Sequence, residues 1–232
     1  MYLYIYKAKL IQRCPSLCAG EDRVTFKVFD ERAKEYDSWF DKHDIIYENE
    51  LILIKQFPCE SPCLEIGVGT GRFAAPLRIE VGVDPSLQEL SIAASRGIEA
   101  VRGVAEHLPF RDGSFLTSYM VVTICFVSDP IESLNEAARV LKKGGRLVIC
   151  VVPRDSEWGE FYEERKRKGE SIFYRDAIFY TKKQLKDMLG GSGFKIERGA
   201  SVLHFHPWEK AYVEEPSEGE NGSFVCYEAR KS

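Results

Sequence analysis

At 232 residues, 44% of them apolar, the chain has the length and the material for one domain around one sizeable core. Charged residues make up 29% of it yet leave a net charge of only -4, so no basic field is available for a phosphate backbone and nucleic acid is not an expected partner. The apolar opening Met1 to Tyr6 is broken by Lys7, Lys9 and Arg13, far short of the roughly 20 residues that cross a bilayer. A soluble, cytoplasmic monomer or homodimer with no membrane partner is expected.

Residues 1 to 24 show no clear period and end in the turn-like Ala19-Gly20-Glu21-Asp22, so they read as an N-terminal extension to a domain over residues 25 to 232. From Asp30 the spacing becomes helical through Tyr36, Trp39, Phe40 and His43, and a second stripe through Leu51 and Ile54 runs until Pro58. Short apolar runs then alternate with helical segments, the pattern of parallel strands joined by helical crossovers. Strands are predicted near Cys63 to Ile66, Glu80 to Val83, Ala100 to Arg102, Phe115 to Val122 and Arg146 to Val152. After Asp129, Pro130 opens a helix with Ile131, Leu134, Ala138 and Leu141 on one face, closed by Lys142-Lys143-Gly144-Gly145. Residues 154 to 180 carry Trp158, Phe161 and Tyr162 in a charged stretch and read as an insertion over the active face. A helix after Thr181 ends at Gly190-Gly191, and runs from Phe194 to Phe205 and Ser223 to Ala229 suit an antiparallel pair at the sheet edge. No internal repeat is visible.

The seven cysteines are odd in number and mostly sit in apolar runs, which favours reduced thiols, although the cytosol of a thermophile would admit disulfides. Cys14 and Cys18, with Cys59 and Cys63, make two C-x3-C pairs, but the spacing is loose for zinc and no metal is expected.

The segment with the clearest chemistry is Glu65-Ile66-Gly67-Val68-Gly69-Thr70-Gly71, a glycine loop that follows a strand and opens a helix. Glycines there remove the side chains that would block backbone approach to a ligand. A dinucleotide loop, G-x-G-x-x-G, would need glycine at Arg72; here the third glycine is Gly71. Three further landmarks follow in order: Val81-Gly82-Val83-Asp84-Pro85-Ser86, Gly103-Val104-Ala105-Glu106-His107-Leu108-Pro109-Phe110, and Lys143-Gly144-Gly145-Arg146-Leu147. From about Tyr36 to Val152 the chain resembles the class I S-adenosylmethionine (SAM)-dependent methyltransferases, especially their small-molecule enzymes.

The resemblance implies an α/β, Rossmann-like, doubly wound and mostly parallel seven-stranded sheet with an antiparallel last strand, in a three-layer sandwich. It implies SAM as cofactor, with the methionine part against Gly67, Gly69 and Gly71 and near Glu65. Asp84, followed by Pro85, would accept the ribose hydroxyls, and Ala105 and Glu106 would meet the adenine. Thr123 ends the fourth strand, and Tyr36 of the Tyr-Asp-x-Trp sequence would cover the cofactor. Two departures stand out. Val104 replaces the aspartate that many relatives place before the adenine-loop alanine, and Val121-Val122-Thr123-Ile124-Cys125 replaces the N-P-P-Y of DNA and protein-amide enzymes.

A small-molecule acceptor, an amine, thiol or hydroxyl, is therefore expected, methylated by direct in-line displacement. Tyr174 and His206 are the candidate catalytic side chains, because His204 and His206 alternate in an expected strand and Tyr174 lies in the insertion. Cys125, Arg175 and Tyr180 are further pocket candidates. Two alternatives stand: a non-catalytic SAM-binding module, and arsenite methylation, for which Cys125 lies near the end of strand four but out of register with Thr123.

Overall fold

The computed structural model describes residues 26–232, so the expected extension over 1 to 24, with Cys14 and Cys18, lies outside the described residues. Three short helices lead in: α1 (Lys27–Glu31), α2 (Ala33–Lys42) and α3 (Asp44–Lys55). The alternating unit follows as β1 (Cys63–Ile66), α4 (Ala74–Leu77), β2 (Val81–Asp84), α5 (Leu87–Ser95), β3 (Glu99–Arg102), β4 (Phe115–Val121), α6 (Pro130–Val140) and β5 (Leu141–Val151). The chain closes with α7 (Glu157–Arg167), α8 (Lys182–Gly191), β6 (Phe194–Val202), β7 (Ser217–Glu218) and β8 (Phe224–Lys231).

One sheet contains all the strands among the described residues, in the order β3-β2-β1-β4-β5-β8-β6-β7. The first five neighbours are parallel, and β8 runs antiparallel to both β5 and β6. From β1 the chain winds outward through β2 and β3, then returns to place β4 on the other side of β1. That reversal is the switch point where a doubly wound sheet opens a crevice at its carboxyl edge. Alternation along the strands feeds two cores: Tyr119 of β4 and Val148 and Cys150 of β5 point to one, Met120, Leu147 and Ile149 to the other. A sheet covered on both faces has apolar strands rather than alternating ones, hence the continuous runs in the sequence.

Side-chain caps explain where several helices start. Asp129 accepts from the backbone N–H groups of Ile131 and Glu132 ahead of Pro130, Ser86 accepts from Glu89, and Thr181 and Gln184 form a capping box.

Four expectations need correction. Helix α6 stops at Val140 and β5 begins at once with Leu141, because Leu141 pairs with Phe115 before Lys142 to Gly145 bulge out and the register resumes at Arg146 opposite Thr117. Strand β6 ends at Val202 rather than Phe205: Leu203 takes φ +61°, which breaks the alternation before His204. The two-residue β7 adds an eighth strand at the edge, paired with β6. The thiols are not all reduced, since Cys59–Cys63 and Cys150–Cys226 are disulfides and Cys125 is the free cysteine among the described residues. Cys150 and Cys226 face each other across β5 and β8, an adjacency set by strand register over 76 residues of chain.

Candidate active site

The glycine loop leaves β1 at the switch point. Its first two amides, on Gly67 and Val68, donate to Val83 O, and the Gly69 N–H donates to Asp84 Oδ2 at 3.0 Å. Gly67 has φ +73°, and a Cβ there would lie 2.3 Å from Thr123 Cγ2, so the loops that follow β1 and β4 touch backbone to side chain. Thr123 is fixed by its own hydroxyl, which donates to Ile66 O at 3.1 Å. Gly71 is glycine for a different reason: a Cβ would meet Ile98 and Ala93, so the loop can lie flat on α5 only without one.

Three buried carboxyls surround this loop. Asp84, at the end of β2, also accepts from Ser86 N at 2.9 Å, yet burial holds its pKa above the usual aspartate range. Glu89 of α5 is pushed up by burial and then by Asp84, and its Oε1 has no partner among the described residues. Burial, reinforced by Asp84, raises Glu65 to about 8, and its Oε2 is likewise unpartnered. A buried acid without a partner costs stability unless a ligand completes it. Together the three carboxyls make an acceptor-rich cradle suited to hydroxyl donors and positive charge.

A roof of helix α2 covers the cradle, tied down by Asp37. Its carboxylate accepts from Thr70 Oγ1 (2.7 Å), Arg72 Nε (2.8 Å) and Arg96 Nη1 (2.8 Å). Burial opposes the charge, but hydrogen bonds from Arg96, Arg72 and Thr70 outweigh it and hold this carboxyl well below the ordinary range. Arg72 also reaches Asp41 at 2.8 Å.

Under the roof an open-mouthed cavity runs from Glu65, Gly67 and Gly69 to an aromatic wall. Tyr36, Trp39 and Phe40 come from α2, and Tyr162 and Tyr174 from the 154 to 180 segment. The rings of Tyr162 and Tyr174 lie 4.8 Å apart. Glu50 of α3 completes the lining.

The structure thus gathers Tyr36, Glu65, Gly67, Gly69 and Tyr174 around one cavity, with Asp84 and Thr123 bonded or packed against the glycine loop. Pro85 follows Asp84 directly. Ala105 is buried, and Glu106 Oε1 accepts from Ser128 N (2.6 Å) and Asp129 N (3.2 Å), which fastens the expected adenine loop to the loop after β4. His206 stands elsewhere: past the end of β6, its ring stacks on Trp208 at 4.8 Å and its Nδ1 lies 2.5 Å from Glu157, outside the cavity lining. His204 bonds Glu214 and Ser217, so it fastens the chain after β6 rather than facing the cavity. Of the further pocket candidates, Arg175 pairs with Asp176 on the surface. Cys125 is buried with its thiol pushed up to about 12, and no second free cysteine stands beside it among the described residues to complete an arsenite site.

Glu50, Tyr162, Glu89 and Asp37 were not singled out from sequence. Glu50 had a readable signal: Ile46, Leu53 and Phe57 are buried at helical spacing, and Glu50 occupies the stripe position four residues after Ile46 and three before Leu53.

Comparison with known proteins gives this geometry its family. A profile described as a methyltransferase domain matches residues 64–149, from β1 into β5. A SAM-dependent methyltransferase of Thermotoga maritima, a possible histamine N-methyltransferase, has a similar structure at 41% identity, covering 90% of this chain and 100% of that one with a TM-score of 0.85. The chain belongs to the SAM-dependent methyltransferases. This methyltransferase is also 41% identical to an uncharacterized protein of Methanocaldococcus jannaschii over 88% of its own length and 98% of that protein's. With an uncharacterized methyltransferase of Bacillus subtilis it shares 31% identity over 54% of this chain and 56% of the other. Its cofactor is accordingly SAM, and the site fits it: the unpartnered oxygens of Glu65 and Glu89 offer acceptors, and Gly67 and Gly69 leave the loop backbone open. Among the described residues no helix is long and apolar enough to cross a membrane.

Proposed function

We propose that the enzyme transfers the methyl group of SAM to a small molecule seated between Tyr36, Tyr162 and Tyr174. The observation that supports this is a shared lining: one cavity is bordered by Glu65, Gly67 and Gly69 of the glycine loop and by the aromatic side chains Tyr36, Tyr162 and Tyr174. SAM supplies a methyl carbon already activated by a sulfonium charge, so the protein's task is to align an acceptor lone pair behind that carbon and keep water out. On this reading Glu65 takes the cofactor's ammonium group, Asp84 and the adjoining Pro85 turn hold the ribose, and Ala105, Glu106 and Thr123 line the remainder. Tyr174 and Tyr162 orient the acceptor. His206 has no part, because it points at Glu157. A small acceptor suits a cavity bordered by α2, by α7 and by the segment after it. The Thermotoga maritima relative, a possible histamine N-methyltransferase, agrees with such a substrate.

Purified protein incubated with methyl-labelled SAM and a fractionated metabolite extract is expected to label at least one low-molecular-weight fraction. Tight SAM binding with no labelled fraction would instead make this a non-catalytic SAM-binding module.

Two cofactor-site predictions accompany this. Asp84→Ala is expected to weaken SAM binding at least tenfold by calorimetry, since removing a charged acceptor costs more than about 1.4 kcal/mol; a loss under twofold would remove Asp84 from the ribose site. The second concerns pH. Glu65 is raised to about 8 in the free protein, so at pH 6.5 it is mainly protonated, and a cation beside it favours the carboxylate. Binding should therefore release a proton, and affinity should rise from pH 6 to 7.5 by at most tenfold per unit. Calorimetry at pH 6.5 in buffers of different ionisation enthalpy measures this release directly, and identical enthalpies in both buffers would contradict it.

A further inference from the structure

Glu50 poses a problem that the cofactor does not solve. It lies on α3, 7% exposed, on a helix face otherwise packed into the core. Its neighbour Asn49 is fully satisfied, donating to Ile45 O and Tyr212 O and accepting from Glu214 N, and it anchors the chain after β6. Among the described residues Glu50 has no hydrogen-bond or ion-pair partner, and burial alone raises its carboxyl to about 8. It lines the same cavity as Tyr36, Tyr162 and Tyr174, and that cavity is its outlet. The other charged cavity residues are already engaged or assigned: Arg72 is held by Asp37 and Asp41, and Glu65 lies beside the glycine loop.

We infer that Glu50 is the acceptor-binding acid of the enzyme, and that the acceptor is an amine whose ammonium group enters the aromatic chamber to meet it. The inference rests on the methyl-transfer reading above and deepens it. A carboxylate that shares its cavity with aromatic rings suits a cation twice, through a charge-assisted hydrogen bond and through the ring quadrupoles. An alcohol or thiol leaves the carboxyl without its ion partner, and a carboxylate or phosphate acceptor is repelled. The same contact prepares the reaction. An ammonium nitrogen has no lone pair, so one proton passes from it to the Glu50 carboxylate. The freed lone pair forms the N–C bond to the methyl carbon while the C–S bond breaks and its electron pair stays on sulfur, which becomes neutral. The product leaves as a methylated ammonium, and Glu50 returns its proton to water. Burial brings the Glu50 carboxyl of the free protein up to about 8, closer to the basicity of an amine than an exposed carboxyl is.

The test uses three probes with one carbon skeleton: 2-phenylethylamine, 2-phenylethanol and 2-phenylethanethiol, each added to the full-length protein with S-adenosylhomocysteine for binding by calorimetry and with labelled SAM for transfer. The amine is expected to bind at least tenfold more tightly than the other two and to take the label. Glu50→Gln should lose at least tenfold in amine affinity, keep SAM affinity within twofold, and melt at the same or a higher temperature, because it removes a buried acid with no partner. Glu50→Asp should recover part of the amine affinity. An unchanged amine affinity in Glu50→Gln, equal binding of the alcohol or thiol, or a marked drop in its melting temperature would overturn the assignment while leaving methyl transfer intact. Failure of the wild-type protein to bind SAM would overturn the broader reading and this one with it.

Discussion

Gly67→Ala should abolish useful cofactor binding, weakening SAM affinity by more than 100-fold in calorimetry. Two costs coincide there. At φ +73° an alanine pays about 1 to 2 kcal/mol for the left-handed backbone, and its Cβ would lie 2.3 to 2.9 Å from three atoms of Thr123. Thr123 cannot swing away freely, because it is β-branched and its hydroxyl bonds Ile66 O. The loop must therefore shift, and the Gly69 N–H to Asp84 bond shifts with it. Gly69→Ala is a built-in contrast: its Cβ would find Glu89 at an ordinary 3.7 Å, so only the backbone strain at φ +51° remains and a milder loss is expected. Adding Thr123→Gly to Gly67→Ala should restore part of the affinity. A Gly67→Ala protein within tenfold of wild type would show that the two loops are not in close contact.

Asp37→Ala should destabilise the protein by about 2 to 3 kcal/mol, near the lower end for breaking a largely buried ion-pair network, since it leaves Arg72 and Arg96 without their shared partner. The pH dependence has a definite sign. Asp37 is held below its ordinary range in the folded state, so its contribution is complete above the unfolded-state value near 4 and is lost as the pH falls toward the folded value. Denaturation of wild type and variant at pH 7 and pH 3 should thus show a gap that narrows at the lower pH. An equal gap at both would mean that the carboxylate acts by packing and not by charge.

The features readable from the sequence are those specified by neighbours in the chain. The glycine spacing from Gly67 to Gly71, the acid at the end of β2, and the Asp129-Pro130 start of α6 each depend on a few consecutive residues, and the strand cores of β1 to β4 lie within about two residues of their expected places. What escaped was decided by partners far away in sequence. The Cys150–Cys226 pair exists because β8 enters the sheet beside β5, a register no local pattern encodes. His204 and His206 looked alternating until Leu203 turned the chain. Glu50 was not singled out, although its place between Ile46 and Leu53 on an apolar stripe marked it for burial. The role of Asp37, hidden between the more conspicuous Tyr36 and Trp39, becomes visible only once α2 lies across the glycine loop.

That placement of α2 also bears on speed. Tyr36 and Trp39 wall the cavity from the same two turns of helix that Asp37 pins to Thr70, Arg72 and Arg96, so the cover over the reacting centre and the latch that fastens it are one element. An α2 latch that must open for release would tie the departure of spent cofactor and product to the three Asp37 contacts, and the expected result is then a first turnover faster than the steady state in rapid-quench kinetics; equal rates would mean that the latch does not limit turnover.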